Sequence, residues 1–229
     1  MNPTNNQTRA VLWDMDGTLI DSMPYHVEAW TELLEPMGYH FAPEQLLKTF
    51  GLRNEEIVRD HLKLDRPQAE LQRLIEEKEE RYRRLVSERG LALLPGARRW
   101  LDDLQAADWP QAIVSSAPRL NMAAVLQGTY LSGFMDTIVC AEDVERGKPY
   151  PDPFLLAAER LGIRPQRCIV VEDAPAGLEG ARRAGMKTIG VLTTHEVLEA
   201  DRVVRSLEEL QWEMIDNLLP EANRDAARP

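Results

Sequence analysis

The segment Ala10-Val11-Leu12-Trp13-Asp14-Met15-Asp16-Gly17-Thr18 decides the fold of this chain. Its four leading apolar residues predict a short buried strand, and Gly17 lets the chain turn sharply after that strand ends. The turn brings Asp14 and Asp16 into one crevice. Buried carboxylates cost free energy unless a metal ion or a reaction uses them, so this pair of acids indicates a functional site.

Short apolar runs recur along the chain, with helical patterns between them. They are apolar on both faces, which is typical of parallel strands that helices cover on both sides. The predicted strands are Ala10–Trp13, Ala112–Val114, Thr137–Val139, Cys168–Val171 and Thr188–Leu192, with Arg202–Val204 as a sixth strand at the edge. The order of strands and helices from Ala112 onward predicts the β-α-β units of an α/β domain.

One long segment, from Asp21 to Leu94, interrupts this alternation because it contains no convincing strand. Its patterns predict helices over Pro24–Met37, Glu44–Phe50, Glu55–Leu64 and Pro67–Arg89. The last helix has one apolar stripe, and we interpret its Glu-, Lys- and Arg-rich remainder as a solvated face with i,i+4 ion pairs. We therefore predict an α/β core of residues 1–20 and 95–229, with residues 21–94 inserted as a helical cap.

Composition excludes several classes of partner. The 229 residues are 44% hydrophobic and 28% charged, and the formal net charge of −11 argues against a nucleic-acid surface or an anionic membrane. No apolar run is long enough to span a membrane, and residues 1–9 lack the apolar stretch of a signal peptide. Cys140 and Cys168 stand unpaired in apolar segments, as expected for reduced core residues of a cytoplasmic protein. We expect a monomer or a weak homodimer.

Polar groups follow four of the predicted strands, at the edge where an open parallel sheet collects its functional residues. In chain order they are Asp14 and Asp16, Ser115 and Ser116, Lys148 between Gly147 and Pro149, and Glu172 and Asp173. Singly, each has an ordinary alternative, namely a helix cap or a lysine in a solvated loop. Together they supply several oxygen ligands, one cation and hydroxyl donors. Oxygen-rich sites of this kind suit Mg²⁺.

These motifs, in this order, resemble the haloacid dehalogenase superfamily, a large group of phosphotransferases that form an aspartyl phosphate. The resemblance covers nearly the whole chain, and the helical insertion resembles the small cap of the β-phosphoglucomutase-like subgroup. It implies a doubly wound, Rossmann-like sheet. It also implies that Asp14 is the nucleophile, that Asp16 is the general acid and base, that Ser115 donates to a phosphoryl oxygen and that Lys148 offsets negative charge.

The same resemblance implies a Mg²⁺ site and a set of substrate contacts. The metal ligands would be Asp14, the backbone carbonyl of Asp16 and Asp173, while Glu172 is either a direct ligand or an anchor outside the first ring of ligands. Thr18 would support the phosphate loop. The remaining expected substrate contacts are Ser116, His26 and Arg53, the last in the cap segment Gly51-Leu52-Arg53-Asn54-Glu55. For His26 and Arg53, the alternatives are an interface histidine and a solvated arginine.

Two activities remain open, distinguished by whether water or a sugar hydroxyl accepts the phosphoryl group. The segment Val171–Gly177 resembles sugar phosphatases of the subgroup, whereas Tyr25-His26 and Trp30 favour a β-phosphoglucomutase-like mutase. Ala117-Pro118 interrupts the polar run with which the mutases hold a second phosphate, and Arg53 stands one place earlier than their cap arginine. We therefore predict a phosphatase acting on a small phosphorylated metabolite, in particular a sugar phosphate, with the mutase as the alternative.

Overall fold

A six-stranded parallel sheet forms the centre of the protein in the computed structural model, which describes residues 9–40, 42, 45, 49 and 52–219. The strands are β1 (Ala10–Trp13), β2 (Gln111–Val114), β3 (Thr137–Val139), β4 (Cys168–Glu172), β5 (Lys187–Val191) and β6 (Arg202–Val204). Their order across the sheet is β3-β2-β1-β4-β5-β6. Since the order reverses direction on either side of β1, the doubly wound, Rossmann-like sheet is confirmed.

The register of the sheet brings the ends of its central strands level with one another. Trp13, the last residue of β1, pairs with Ile113 on one side and with Val171 on the other. Asp14, which directly follows β1, and Glu172, the last residue of β4, therefore lie at the same edge of the sheet. Parallel strands that end together form the crevice in which α/β proteins place their ligands.

Helices cover both faces of the sheet and also form the inserted module. They are α1 (Met23–Leu34), α2 (Asn54–Glu56), α3 (Gln68–Arg89), α4 (Ala97–Ala106), α5 (Arg119–Gly128), α6 (Asp152–Leu161), α7 (Pro175–Arg183) and α8 (Trp212–Leu218). One face of the sheet buries an apolar cluster that contains Trp13 and Trp100, and the other buries a cluster that contains Leu12 and Phe154. Burial of both sheet faces explains why the strands are continuously apolar.

The inserted module has an apolar core of its own. Trp30 and Leu34 of α1 pack with Leu71 and Ile75 of α3 in a cluster separate from the two beneath the sheet. The two chain segments that connect the module to the core run side by side, since the Leu94 N–H donates to the Leu19 carbonyl at 2.9 Å. The boundaries of the cap at residues 21 and 94 remain a prediction.

Two of the predicted cap helices differ from the structure in form. The first ends as an α-helix at Leu34 and continues as a 3-10 turn over Glu35–Met37, which leaves Met37 exposed rather than on the apolar stripe. The predicted helix Glu55–Leu64 is the short α2 followed by a π-helical turn over Ile57–His61. The predicted helix Glu44–Phe50 falls almost wholly outside the described residues.

The interpretation of the charged part of α3 as a solvated face is wrong at two positions. Lys78 and Glu79 are 2% and 4% exposed, and they face a cleft between the cap and the core. Since a buried charge needs a partner, these two residues belong to a site rather than to a surface. Within the described residues, no helix is both long and apolar enough to cross a membrane.

Candidate active site

Three buried charged side chains meet where β1 and β4 end. Asp14 directly follows β1, Glu172 is the last residue of β4, and Lys148 comes from the loop between β3 and α6. The Lys148 ammonium donates to Asp14 Oδ1 at 2.6 Å and to Glu172 Oε1 at 2.7 Å. Each of the three residues is at most 4% exposed. The structure therefore brings together acids and a cation that are far apart in the sequence.

Glu172 orients both the lysine and the loop that follows β4. Its Oε1 accepts from Lys148, and its Oε2 accepts from the backbone N–H groups of Asp173 and Ala174 at 2.8 and 3.0 Å. A side chain at position 177 would collide with the Glu172 carboxylate, so Gly177 is required there. Glu172 was predicted to be either a direct metal ligand or an anchor outside the ring of ligands, and these hydrogen bonds favour the role of anchor.

Asp173 is held by hydroxyl groups from two separate loops. Thr18 Oγ1 donates to Asp173 Oδ1 at 3.2 Å, and Thr194 Oγ1 donates to Asp173 Oδ2 at 2.5 Å. Gly17 has a φ of +86°, and a Cβ atom there would collide with the Asp173 carboxylate. Thr18 was predicted to support a phosphate loop, and the structure places its hydroxyl on this acid. No feature of the local sequence marks Thr194, since only the fold brings it here.

The carboxylates of this cluster are difficult to ionise together. Burial, followed by the charge of Glu172, raises the pKa of Asp14 to about 7, although Lys148 acts in the opposite direction. Burial also raises the pKa of Asp173 well above its usual value, and the charges of Glu172 and Asp14 add to this effect. Burial alone would lower the pKa of Lys148, but its two carboxylate partners raise it above its usual value.

The cluster has the composition of a divalent-cation site. One oxygen from each of Asp14, Glu172 and Asp173 lies within 4.8 Å of the others. With these three acids ionised and Lys148 protonated, three negative charges and one positive charge leave a net −2. A buried, all-oxygen donor set with that charge fits Mg²⁺. The Asp16 carboxylate is not part of the group found among the described residues, and a contact through its backbone carbonyl stays a prediction.

The Asp16 side chain lies outside the group formed by Asp14, Glu172 and Asp173, at the junction between core and cap. Ser22 Oγ donates to Asp16 Oδ1 at 2.5 Å, and His26 Nε2 lies 3.6 Å from the same oxygen. The Asp16 side chain is 17% exposed, and the His26 ring stacks on Tyr82 with 4.0 Å between ring centroids. Asp16 is therefore oriented by a hydroxyl group, lies near an imidazole and lines the cleft, while its role as general acid and base stays a prediction.

A chain of polar contacts extends from Asp16 into the cap. Lys78 Nζ lies 2.8 Å from His26 Nδ1 and donates to Glu79 Oε1 at 2.8 Å. Sequence reasoning missed Lys78 and Glu79, although a signal was present. Both occupy the i+4 positions of the apolar stripe, after Leu74 and Ile75, and a charge on a buried stripe is itself informative.

The hydroxyl pair after β2 lies on the same cleft. Ser115 is 4% exposed, and its Oγ accepts from the Ala117 N–H at 3.0 Å, which leaves the hydroxyl proton able to point elsewhere. Ser115 and Ser116 line the cleft together with Asp14 and Asp16. Their placement agrees with the predicted contact to a phosphoryl group, which stays a prediction.

Arg53 takes a different position from the one predicted. Its guanidinium donates to the backbone carbonyls of Ala141 and Val144 at 2.7 and 2.9 Å and to that of Glu145 at 3.1 Å. Those carbonyls belong to the core loop that continues to Lys148. Arg53 thus connects the cap to this loop, and it is not among the described residues that line the cleft with Asp14 and Asp16. Gly51, at the start of the same predicted segment, lies outside the described residues.

The fold and this arrangement of acids, lysine and hydroxyls define a class of hydrolase. The family model for haloacid dehalogenase-like hydrolases matches residues 11–191, and the chain belongs to that family. The match begins in β1 and ends with β5, so it contains all four strand-end motifs.

The relatives of this chain include sugar-related phosphatases and a β-phosphoglucomutase. The chain is 34% identical over 207 residues to hexitol phosphatase A of Escherichia coli K12, covering 88% of this chain and 93% of that protein. It is 32% identical over 213 residues to validoxylamine A 7'-phosphate phosphatase of Streptomyces hygroscopicus subsp. limoneus, covering 89% and 96%. The crystal structure of β-phosphoglucomutase from Clostridium difficile has a TM-score of 0.80 and 28% identity, covering 92% of this chain and 96% of that one.

Proposed function

We propose that the protein is a Mg²⁺-dependent phosphatase that hydrolyses a small phosphorylated metabolite, with sugar phosphates as the substrate class. The observation that carries this proposal is the pairing of Asp14 with Lys148 beside Glu172 and Asp173, with Asp16 held separately on the same cleft. One carboxylate is paired with a cation and a second can carry a proton. The phosphatases among the relatives support the reaction class.

In the first half of the reaction, Asp14 attacks the phosphorus atom of the ester. A bond forms between an Asp14 carboxylate oxygen and phosphorus, the bond from phosphorus to the ester oxygen breaks, and Asp16 donates its proton to the leaving alkoxide. In the second half, Asp16 takes a proton from water, which attacks the aspartyl phosphate and releases phosphate and free Asp14. Lys148 and Ser115 offset the charge on the phosphoryl oxygens in both halves.

Mg²⁺ would be held by Asp14 and Asp173, with Glu172 anchoring the lysine and the loop beside them. When bound, the ion neutralises charge on the phosphoryl group and permits an anionic nucleophile to approach an anionic ester. Thr18 and Thr194 fix the Asp173 carboxylate by hydrogen bonds to both of its oxygens. These residues therefore prepare the site before substrate arrives.

Water rather than a sugar hydroxyl is the proposed acceptor. A mutase must hold a second phosphate, but Ala117 and Pro118 line the cleft after the serine pair and provide no hydrogen-bonding side chain. The alternative, a β-phosphoglucomutase-like isomerase, draws support from the contact of His26 with Asp16 and from the fold of the mutase relative.

Two measurements test the proposal. Phosphate release from a panel of sugar phosphates, with and without Mg²⁺, identifies the substrate class. Incubation with β-glucose 1-phosphate and a trace of glucose 1,6-bisphosphate separates the two activities. We expect free phosphate to form faster than glucose 6-phosphate, and the opposite order would establish the mutase.

A further inference from the structure

Glu79 is a buried acid on the catalytic cleft that the phosphoryl chemistry does not use. It is 4% exposed, belongs to α3 of the cap and lines the same cleft as Asp14 and Asp16. Asn54 Nδ2 donates to Glu79 Oε1 at 2.5 Å, and Asn121 Nδ2 donates to Glu79 Oε2. Because Asn54 belongs to the cap and Asn121 to α5 of the core, the acid lies where the two parts of the cleft meet.

Glu79 carries a negative charge, which the ammonium group of its neighbour Lys78 stabilises. Burial alone would raise the pKa of Glu79, but the charge of Lys78, followed by that of His26, lowers it to about 2. Lys78 in turn donates to Glu79 at 2.8 Å, so the two charges cancel locally. The basic side chains that line the cleft among the described residues are His26 and Lys78, which contact one another, and Lys78 is paired with Glu79. A second phosphate or carboxylate group on the substrate would therefore have to compete with Glu79 for Lys78.

The same group is well suited to bind hydroxyls. A carboxylate offers about four acceptor positions, and the hydrogen bonds from Asn54, Lys78 and Asn121 fill three of them. The orientation of the Asn121 amide is fixed because Arg83 Nη1 donates to its Oδ1 at 3.0 Å. A substrate hydroxyl could donate to the remaining acceptor position, and a buried acceptor that is built to receive a hydroxyl discriminates strongly in its favour.

We propose that Glu79, with Asn54 and Asn121, binds hydroxyl groups at the unphosphorylated end of the substrate and rejects a second anionic group there. The protein would therefore prefer monophosphates of uncharged polyols and sugars to bisphosphates and to phosphorylated acids. This inference rests on the proposed phosphatase function and narrows its substrate class. It combines attraction for a hydroxyl with a cost for an anion, because an anion would have to displace Glu79 from Lys78.

The test compares two substrates that differ only in a second phosphate, fructose 1-phosphate and fructose 1,6-bisphosphate. We expect the ratio of their kcat/KM values to favour the monophosphate in the wild-type protein. In Glu79→Gln it should fall by about tenfold, because the charged hydrogen bond to the hydroxyl is lost and Lys78 no longer has its carboxylate partner. A general loss of active protein would lower both values and leave the ratio unchanged. An unchanged ratio in folded Glu79→Gln would overturn the inference.

Glu80→Gln is the matched control, since Glu80 is the next residue of α3 and is exposed. Its ratio should equal that of the wild-type protein. If Glu79→Gln does not fold, Asn54→Lys decides, because a cation added beside Glu79 should raise the relative kcat/KM for the bisphosphate by about fivefold. No gain in that variant would overturn the inference.

Different measurements test the proposed phosphatase function and the role of Glu79. Hydrolysis of p-nitrophenyl phosphate with Mg²⁺ reports on the phosphatase function without a sugar hydroxyl or a second phosphate. If the wild-type protein does not release phosphate from this ester, the proposed function fails. If it does, and the substrate ratio is the same with and without Glu79, only the role of Glu79 fails.

Discussion

Lys148 Nζ lies 2.6 Å from Asp14 Oδ1, and both side chains are buried at the end of the central strand. The contact joins the loop after β3 to the residue that follows β1. It keeps a carboxylate whose pKa is raised by burial next to a permanent positive charge. The proposed nucleophile is therefore held ready by a residue 134 positions away in the sequence.

Replacement of Lys148 by Met should remove that charge while retaining most of the side-chain volume. We expect kcat to fall by about 100-fold or more, because the charge on the phosphoryl oxygens loses a preorganised partner. The melting temperature should also fall, since Asp14 and Glu172 lose a buried counter-charge. Lys187→Met is the control, as Lys187 is exposed at the start of β5. Equal kcat values in the two variants would contradict the role of Lys148.

Binding of Mg²⁺ should become tighter as pH rises from 6 to 8. In the metal-free protein the pKa of Asp14 is raised to about 7, and that of Asp173 is raised as well, so protons compete with the metal at the lower end of this range. Activity titrated with Mg²⁺ at several pH values measures the half-saturating concentration. We expect this concentration to decrease with pH, and a constant value would refute the competition.

Glu79 should contribute to stability in a pH-dependent manner. Its pKa is about 2 in the folded protein against an ordinary value of 4.5, so the stabilisation is complete above pH 4.5 and is lost as pH falls toward 2. That shift corresponds to about 3 kcal/mol at neutral pH. The difference in melting temperature between wild type and Glu79→Gln should accordingly be large at pH 7 and smaller at pH 3. A difference that grows on acidification would have the wrong sign.

Arg53 should control the loop that leads to Lys148. Without its three hydrogen bonds to backbone carbonyls, residues 141–147 should exchange amide hydrogens faster, and kcat/KM should fall by about three- to tenfold. Arg59→Ala is the matched control, because Arg59 is an exposed cap residue that pairs with Asp60. Hydrogen exchange followed by mass spectrometry measures the effect. Unchanged exchange over 141–147 in Arg53→Ala would show that the loop does not depend on the cap.

The sheet could be predicted from the sequence because buried parallel strands are apolar on both faces. β1 and β3 were predicted with the observed bounds, and β6 was correctly placed as an edge strand. The same argument predicted that the strand-end acids, the lysine and the serines lie close together, since topology alone sends the carboxyl ends of parallel strands to one edge, and the structure places them there. Local pattern was sufficient for this part of the site.

The cap side of the site could not be predicted in the same way. Lys78 and Glu79 lie in a helix that is otherwise rich in solvated charge, and only their positions on its apolar stripe, four residues after Leu74 and Ile75, distinguish them. Asn121 and Thr194 reach the site only through tertiary packing. The position of Arg53 depended on which core loop packs beneath α2, and a single sequence contains no local signal for that contact.

Replacement of Asp14 by Asn tests the central claim most directly. The change keeps the shape of the side chain but replaces the anionic carboxylate with a neutral amide, whose oxygen is a poor nucleophile. Turnover of p-nitrophenyl phosphate with Mg²⁺ should therefore be abolished while the melting curve still shows a folded protein. We expect activity at the level of the uncatalysed reaction. Substantial Mg²⁺-dependent phosphate release by Asp14→Asn would contradict the assignment of Asp14 as the nucleophile.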